Sequence, residues 1–110
     1  MDTQSTPALI SSQRYLDAEI VAQKVAAGVF VVSVSPVFEI DGESFRVILD
    51  GHHAFAATKA AGVEPEIVEL SRREHDAISL LDRGEIEDFL EVTNLGDDYY
   101  FVASGLAVWQ

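Results

Sequence analysis

Cysteine is absent from the chain, which excludes a disulfide framework, a thiolate metal site and a cysteine nucleophile. Positive charge is scarce: seven Lys and Arg stand against 19 Asp and Glu, a formal net charge of −12. The seven are Arg14, Lys24, Arg46, Lys59, Arg72, Arg73 and Arg83, and only Arg72 and Arg73 are adjacent. A surface this acidic repels nucleic-acid phosphates, so direct DNA or RNA binding is not expected. No apolar run approaches the roughly 20 residues that cross a bilayer. The opening MDTQSTPALISSQ lacks the basic-then-apolar order of a secretory signal. Together these absences point to a cytoplasmic protein with no membrane role.

What is present fits one folded domain. The chain has 110 residues, 48% of them apolar, enough for a single core and too apolar for disorder. Residues 1–13 are polar around Pro7 and read as a flexible or edge segment; residues 14–110 read as the domain. The acid is concentrated late. Glu74 to Asp98 holds nine acidic residues against Arg83 alone, −8 of the −12. This run is a solvated face or a surface for a basic protein partner.

Along the chain, Asp17 reads as the N-cap of a helix that ends near Ala27, with Gly28 as its stop. Val29–Val34 is a β-branched strand interrupted at Pro36. Val37–Ile40 and Phe45–Leu49 flank Asp41-Gly42-Glu43-Ser44, a hairpin turn. In the second of these strands Phe45, Val47 and Leu49 share one face, and Arg46, Ile48 and Asp50 the other. The alanine-rich stretch His52–Ala61 forms a helix closed by Gly62. With the strand expected at Glu66–Leu70 it makes a strand–helix–strand crossover packed on a sheet. Ser71 and Glu74 have capping-box spacing for a helix to about Arg83. A second short helix is expected around Ile86–Leu90, and a terminal hairpin from Tyr99–Ala103 and Leu106–Trp109. Tyr99, Tyr100 and Trp109 read as packing residues, and His75 and Thr58 have no catalytic spacing. The fold class expected is α+β, a small mixed sheet with helices packed on it.

The stretch FRVILDGHHAFAATKAAG organises the rest. Its strand-to-helix junction sets Asp50, Gly51, His52 and His53 at a helix mouth. There the first amides lack acceptors within the helix and the dipole is positive, which welcomes an anion.

An Asp-Gly-His-His turn after a hairpin strand, followed by Ala56, Ala57 and Gly62, resembles the ParB/sulfiredoxin-like superfamily over residues 29–70. The resemblance implies a small α+β domain with a nucleotide or phosphate cleft at the turn, and a nucleotide with magnesium as the cofactor. In that family an arginine commonly follows the two histidines; here the position is Ala54, whose methyl cannot replace a forked, charged donor. The sulfiredoxin cysteine is missing, which excludes that activity.

The candidate anion-binding residues are Asp50, Gly51, His52, His53, Arg46 and Lys59. Asp50 is a metal or base candidate whose simpler role is to cap the helix through the amide of His52 or His53. Gly51 supplies a backbone angle that other residues resist, or a close approach to a ligand. His52 and His53 point about 100° apart on a helix and cannot share one metal. One is expected to meet a ligand and the other to fix the turn. Lys59 lies two turns beyond His52 on the same face, as a solvated lysine or an anion contact. Arg46 replaces the missing arginine if its strand face opens on the cleft. Three functions follow: an accessory or regulatory domain that binds a nucleotide or phosphate-type anion; a non-catalytic acidic interaction protein, such as an inhibitor or nucleic-acid mimic; or a phosphotransferase or nuclease. No complete catalytic set is visible, and the balance is against an enzyme.

Overall fold

The computed structural model describes residues 6–109. Among the described residues ten elements follow one another: β1 (Ala8–Ser11), α1 (Ala18–Ala27), β2 (Val31–Val34), β3 (Phe38–Ile40), β4 (Glu43–Asp50), α2 (His52–Ala61), β5 (Glu66–Glu69), α3 (Ile78–Asp82), α4 (Ile86–Val92) and β6 (Tyr100–Phe101). The strands form one six-stranded mixed sheet in the order β5-β2-β4-β1-β6, with β3 also paired to β4. The fold is therefore α+β.

β4 is the spine of the sheet. β1 lies parallel along one side, Leu9 opposite Arg46. β3 and then β2 share its other side, both antiparallel. The β3–β4 turn is Asp41-Gly42, with φ of 52° and 83°. Positive φ at both central residues is the type I′ geometry that suits the right-handed twist of a two-residue hairpin. Glu43 and Ser44, expected in the turn, belong to the strand.

The alternation in β4 divides two cores. Phe45 and Val47 join Ile10, Phe38, Ile78, Phe89 and Tyr99 on one face, with Leu49 packed against them; α3 and α4 cover this side. Ile48 joins Val32, Val34 and Ala54 on the other, beneath α2. Ala54 and Ala57 are almost fully buried: small side chains let α2 lie close to the sheet. α1 has no buried residue and packs on α2. As expected, its N-cap is Asp17, whose carboxylate accepts from the Glu19 and Ile20 amides, and Gly28 ends it in the left-handed conformation.

Four expectations need correction. Residues 1–13 are not simply a flexible segment. Ala8–Ser11 forms β1, between β4 and β6, while residues 1–5 lie outside the described residues. Ser11 and Ser12 are buried because their hydroxyl oxygens accept backbone bonds from Gln13 and Leu95. Second, β4, α2 and β5 do not make a parallel crossover. β2 lies between the two strands, antiparallel to β4 and parallel to β5. Third, the Ser71–Glu74 box forms, the Glu74 carboxylate accepting from the Ser71 amide and hydroxyl. It closes only a turn, however, and α3 starts at Ile78. Last, the terminal hairpin shrinks to the two residues of β6 and a single bridge, Tyr100 to Ala107.

Candidate functional site

Asp50 ends β4 opposite Ser33 of β2. The chain then turns sharply at Gly51, with φ 91° and ψ 26°. A Cβ at Gly51 would sit 2.6 Å from the Val31 carbonyl oxygen and 3.0 Å from Val32 Cα. Close approach of β2, as well as the left-handed angle, demands glycine. The Asp50 carboxylate accepts from the Gly51 amide at 2.9 Å. It does not cap through His52 or His53 as the sequence suggested; Gly51 is itself the N-cap, and among the described residues no side chain caps the start of α2. The first helical bond runs from the Phe55 amide to the Gly51 carbonyl. The amides of His52, His53 and Ala54 are thus the ones that helix geometry leaves without an acceptor inside α2.

The residues of this helix start line a polar cavity of about 160 Å³, together with Gln13, Lys24, Asp50 and Gly51. Four of the six expected site residues, Asp50 to His53, therefore meet there. Arg46 does not join them. It faces the α2 side of β4 as expected, but its guanidinium bonds Glu69 at 2.8 Å. Lys59 stands elsewhere, its Nζ 5.3 Å from the centre of the Phe55 ring and 3.5 Å from the Val102 carbonyl.

The two histidines take different roles. His53 Nε2 accepts the Asp17 amide at 3.1 Å, so in the neutral ring the proton sits on Nδ1. This bond ties the start of α2 to the start of α1. It thereby helps hold Lys24, two turns beyond Asp17, at the same cavity. His52 is only 9% exposed, and its buried Nε2 has no hydrogen-bond partner among the described residues. Burial pushes its pKa below the ordinary 6.5; Asp50 opposes the shift and His53 adds to it.

That shift has a testable sign. With the folded pKa depressed, the unfolded chain binds more protons in the window between the folded value and 6.5. Stability contributed by neutral His52 is complete above about pH 6.5 and falls as pH drops below it, levelling once the folded group is also protonated. Urea midpoints measured between about pH 5 and 7 should decline with acid, and His52→Gln should flatten the decline. An equal slope in both proteins would rule out His52 as the source.

His52 also borders a second cavity, of about 160 Å³, which shares Gln13 as a further wall. Its other lining is mostly apolar: Leu16, Ile48, Phe55, Ala56 and Val102, with Ser11, Tyr100 and Lys59. Sequence reasoning missed Gln13 and Lys24. Lys24 is the sole basic residue of α1, but its partner across the helix pair is visible only once α1 is docked on α2. Among the described residues no three His, Asp or Glu side chains are grouped as metal ligands. Comparison with family models, with curated proteins and with solved structures gave no match.

Proposed function

We propose that the chain binds a phosphate-type anion, foremost the phosphate of a nucleotide, at the Asp50–His53 turn. In this reading it is an accessory or regulatory ParB/sulfiredoxin-like domain rather than a catalyst. The observation that carries the reading is the uncapped start of α2 facing a polar cavity. The amides and helix dipole there favour negative charge. Lys24 supports it by bringing a cation to the cavity from α1, where Ala54 leaves the family's arginine position without one. An ammonium gives a point charge and not a planar fork, so binding should be weaker and less selective for phosphate geometry.

Asp50 opposes an anion, but it is exposed and already bonded to the Gly51 amide. It is also the carboxylate that a magnesium ion carried by a nucleotide would meet. The acidic α4 belongs to the opposite face of the sheet. Charges farther away than about 8 Å are largely screened at physiological salt. Binding is favoured over turnover because the His53 Nε2 lone pair, which a general base would use, already accepts the Asp17 amide.

Calorimetry and amide chemical shifts would test this with inorganic phosphate, ATP, CTP and GTP, each with and without magnesium. Saturable shifts at Gly51 to Ala54 are expected. Lys24→Gln should weaken them about tenfold, the loss of roughly one charge-assisted contact. No heat and no shift at these amides would remove the proposal.

A further inference from the structure

Among the described residues β5 has a neighbouring strand on one side only, β2. The two run parallel, from Val31 opposite Glu66 to Val34 opposite Glu69. The amides of Glu66 and Leu70 donate to the Phe30 and Val34 carbonyls, each at 2.9 Å. Successive residues of a strand turn their amide and carbonyl to opposite sides. Glu66, Val68 and Leu70 therefore serve β2, while Ile67 and Glu69 point theirs outward. Both of these residues are exposed, so their backbone groups are open to an incoming strand.

The side chains along this edge carry one sign of charge. Glu64, Glu66 and Glu69 are exposed, and no Lys or Arg stands between Lys59 and Arg72. Among the described residues Glu64 and Glu66 have no ion-pair partner. Glu69 gives one oxygen to Arg46, and its side chain stays half-exposed. Between the carboxylates lie two apolar residues on opposite faces. Ile67 is 42% exposed on the face of Val32, and Val68 is half-buried on the face of Ser33. Val31, opposite Glu66, is 43% exposed, so this corner of the sheet offers apolar surface on both faces.

We propose that β5 receives an extended segment of a basic partner protein, added antiparallel, with the pattern basic–apolar–apolar–basic. Antiparallel strands set residues directly opposite one another. The two basic side chains then stand opposite Glu69 and Glu66, and the two apolar ones opposite Val68 and Ile67. Backbone bonds to Ile67 and Glu69 hold the segment, and the side chains select it. A second copy of this chain brings its own net charge of −12 to the same edge, which disfavours that occupant. Exposed ion pairs are individually weak and screened by salt, so the complex is of low affinity and salt-sensitive. The proposal stands whether or not the Asp50–His53 turn binds phosphate.

The test titrates the full chain with the peptide acetyl-TKVVKT-amide and follows amide shifts and amide exchange with solvent. Saturable shifts and slower exchange are expected at Ile67 and Glu69, with binding that weakens as salt rises. N-methylation of the second valine removes the donor that faces the Ile67 carbonyl and should abolish binding. On the first valine, whose amide faces away from β5, it should be tolerated. Glu66→Lys should weaken the peptide about fivefold, and a peptide with glutamate in place of its second lysine should regain the loss. The Val68 amide, bonded to β2, reports that β5 keeps its place in the variant. The proposal is overturned if the peptide gives no saturable shift at Ile67 and Glu69 at low-millimolar concentration. It is equally overturned if a peptide with both lysines replaced by glutamate binds as well, or if the two N-methylated peptides behave alike. Shifts at these amides that grow with protein concentration alone would seat a second copy on β5 and overturn it too.

Discussion

Gly51→Ala is expected to destabilise the protein by about 3 kcal/mol and to abolish anion binding at the turn. Two costs combine. A side-chain-bearing residue held at left-handed φ costs roughly 1–2 kcal/mol. The new methyl would also meet Val31 O at 2.6 Å and Val32 Cα at 3.0 Å. Those atoms are backbone within the sheet, so no side chain can rotate away. Either β2 separates from β4 or the start of α2 tilts, at a further cost of roughly 1–3 kcal/mol.

Gly28→Ala is the control. Gly28 also has positive φ, 68°, but a Cβ there meets nothing within 4 Å. It should lose only the conformational part, roughly 1–2 kcal/mol. Denaturation midpoints of the two variants, with phosphate titration of the folded fraction of each, separate crowding from strain. Equal losses would show that the close approach of β2 is not what demands the glycine.

Phe45→Ala should be at least as damaging, by about 4 kcal/mol, and for an unrelated reason. Phe45 is 2% exposed and its ring lies 6.0, 6.5 and 5.6 Å from those of Phe38, Phe101 and Trp109. It is the ring that joins β3, β6 and the C-terminal segment to the central strand. Truncation leaves a void whose walls are themselves aromatic, two of the three rings being held on strands, so collapse into it is limited. Folded domains are stable by only about 5–15 kcal/mol, so a substantial unfolded fraction is expected on mild warming. Phe45 is on the face of β4 away from α2, and the molecules that remain folded should bind at the turn as wild type does. Thermal melts read beside titrations at low temperature would distinguish this from Gly51→Ala; a Phe45→Ala protein with wild-type midpoint would contradict the packing account.

The strand, turn and helix from Phe45 to Gly62 were legible because each signal there is local. Phe45, Val47 and Leu49 alternate with polar or buried partners. Asp-Gly marks the break, and an alanine run between Gly51 and Gly62 defines α2 to the residue. Asp17 and Gly28 announce α1 in the same way. β1 was illegible because one of its two buried residues, Ser11, is a serine, as is the buried Ser12 that follows it, and both are acceptable in a core only through bonds from Gln13 and Leu95 that a linear reading does not contain. The relative direction of β4 and β5 depends on β2 lying between them, a tertiary fact.

The site divides along the same line. The helix mouth follows from four consecutive residues, and so does a division of roles between the two histidines; that His53 is the one that fixes the turn depends on the Asp17 amide reaching it from α1. Lys24 and Gln13 reach the mouth through helix docking and strand ends, and Arg46 leaves it because Glu69 of β5 competes for its guanidinium. The second reading of the chain, an acidic docking surface, gains only exposed carboxylates at Glu85, Glu87 and Asp88, and no feature of the structure selects a partner for them.

β5 has β2 on one side and, among the described residues, is the last strand of the sheet on the other, with Glu66 and Glu69 at its two ends and the exposed Ile67 between. A bare rim of this kind is a template for unwanted polymerisation. Were two molecules to pair rim to rim in opposite directions, Glu66 of each would confront Glu69 of the other, and the like charges directly opposite would oppose the ladder. The outermost strand thus carries its own safeguard against fibre growth.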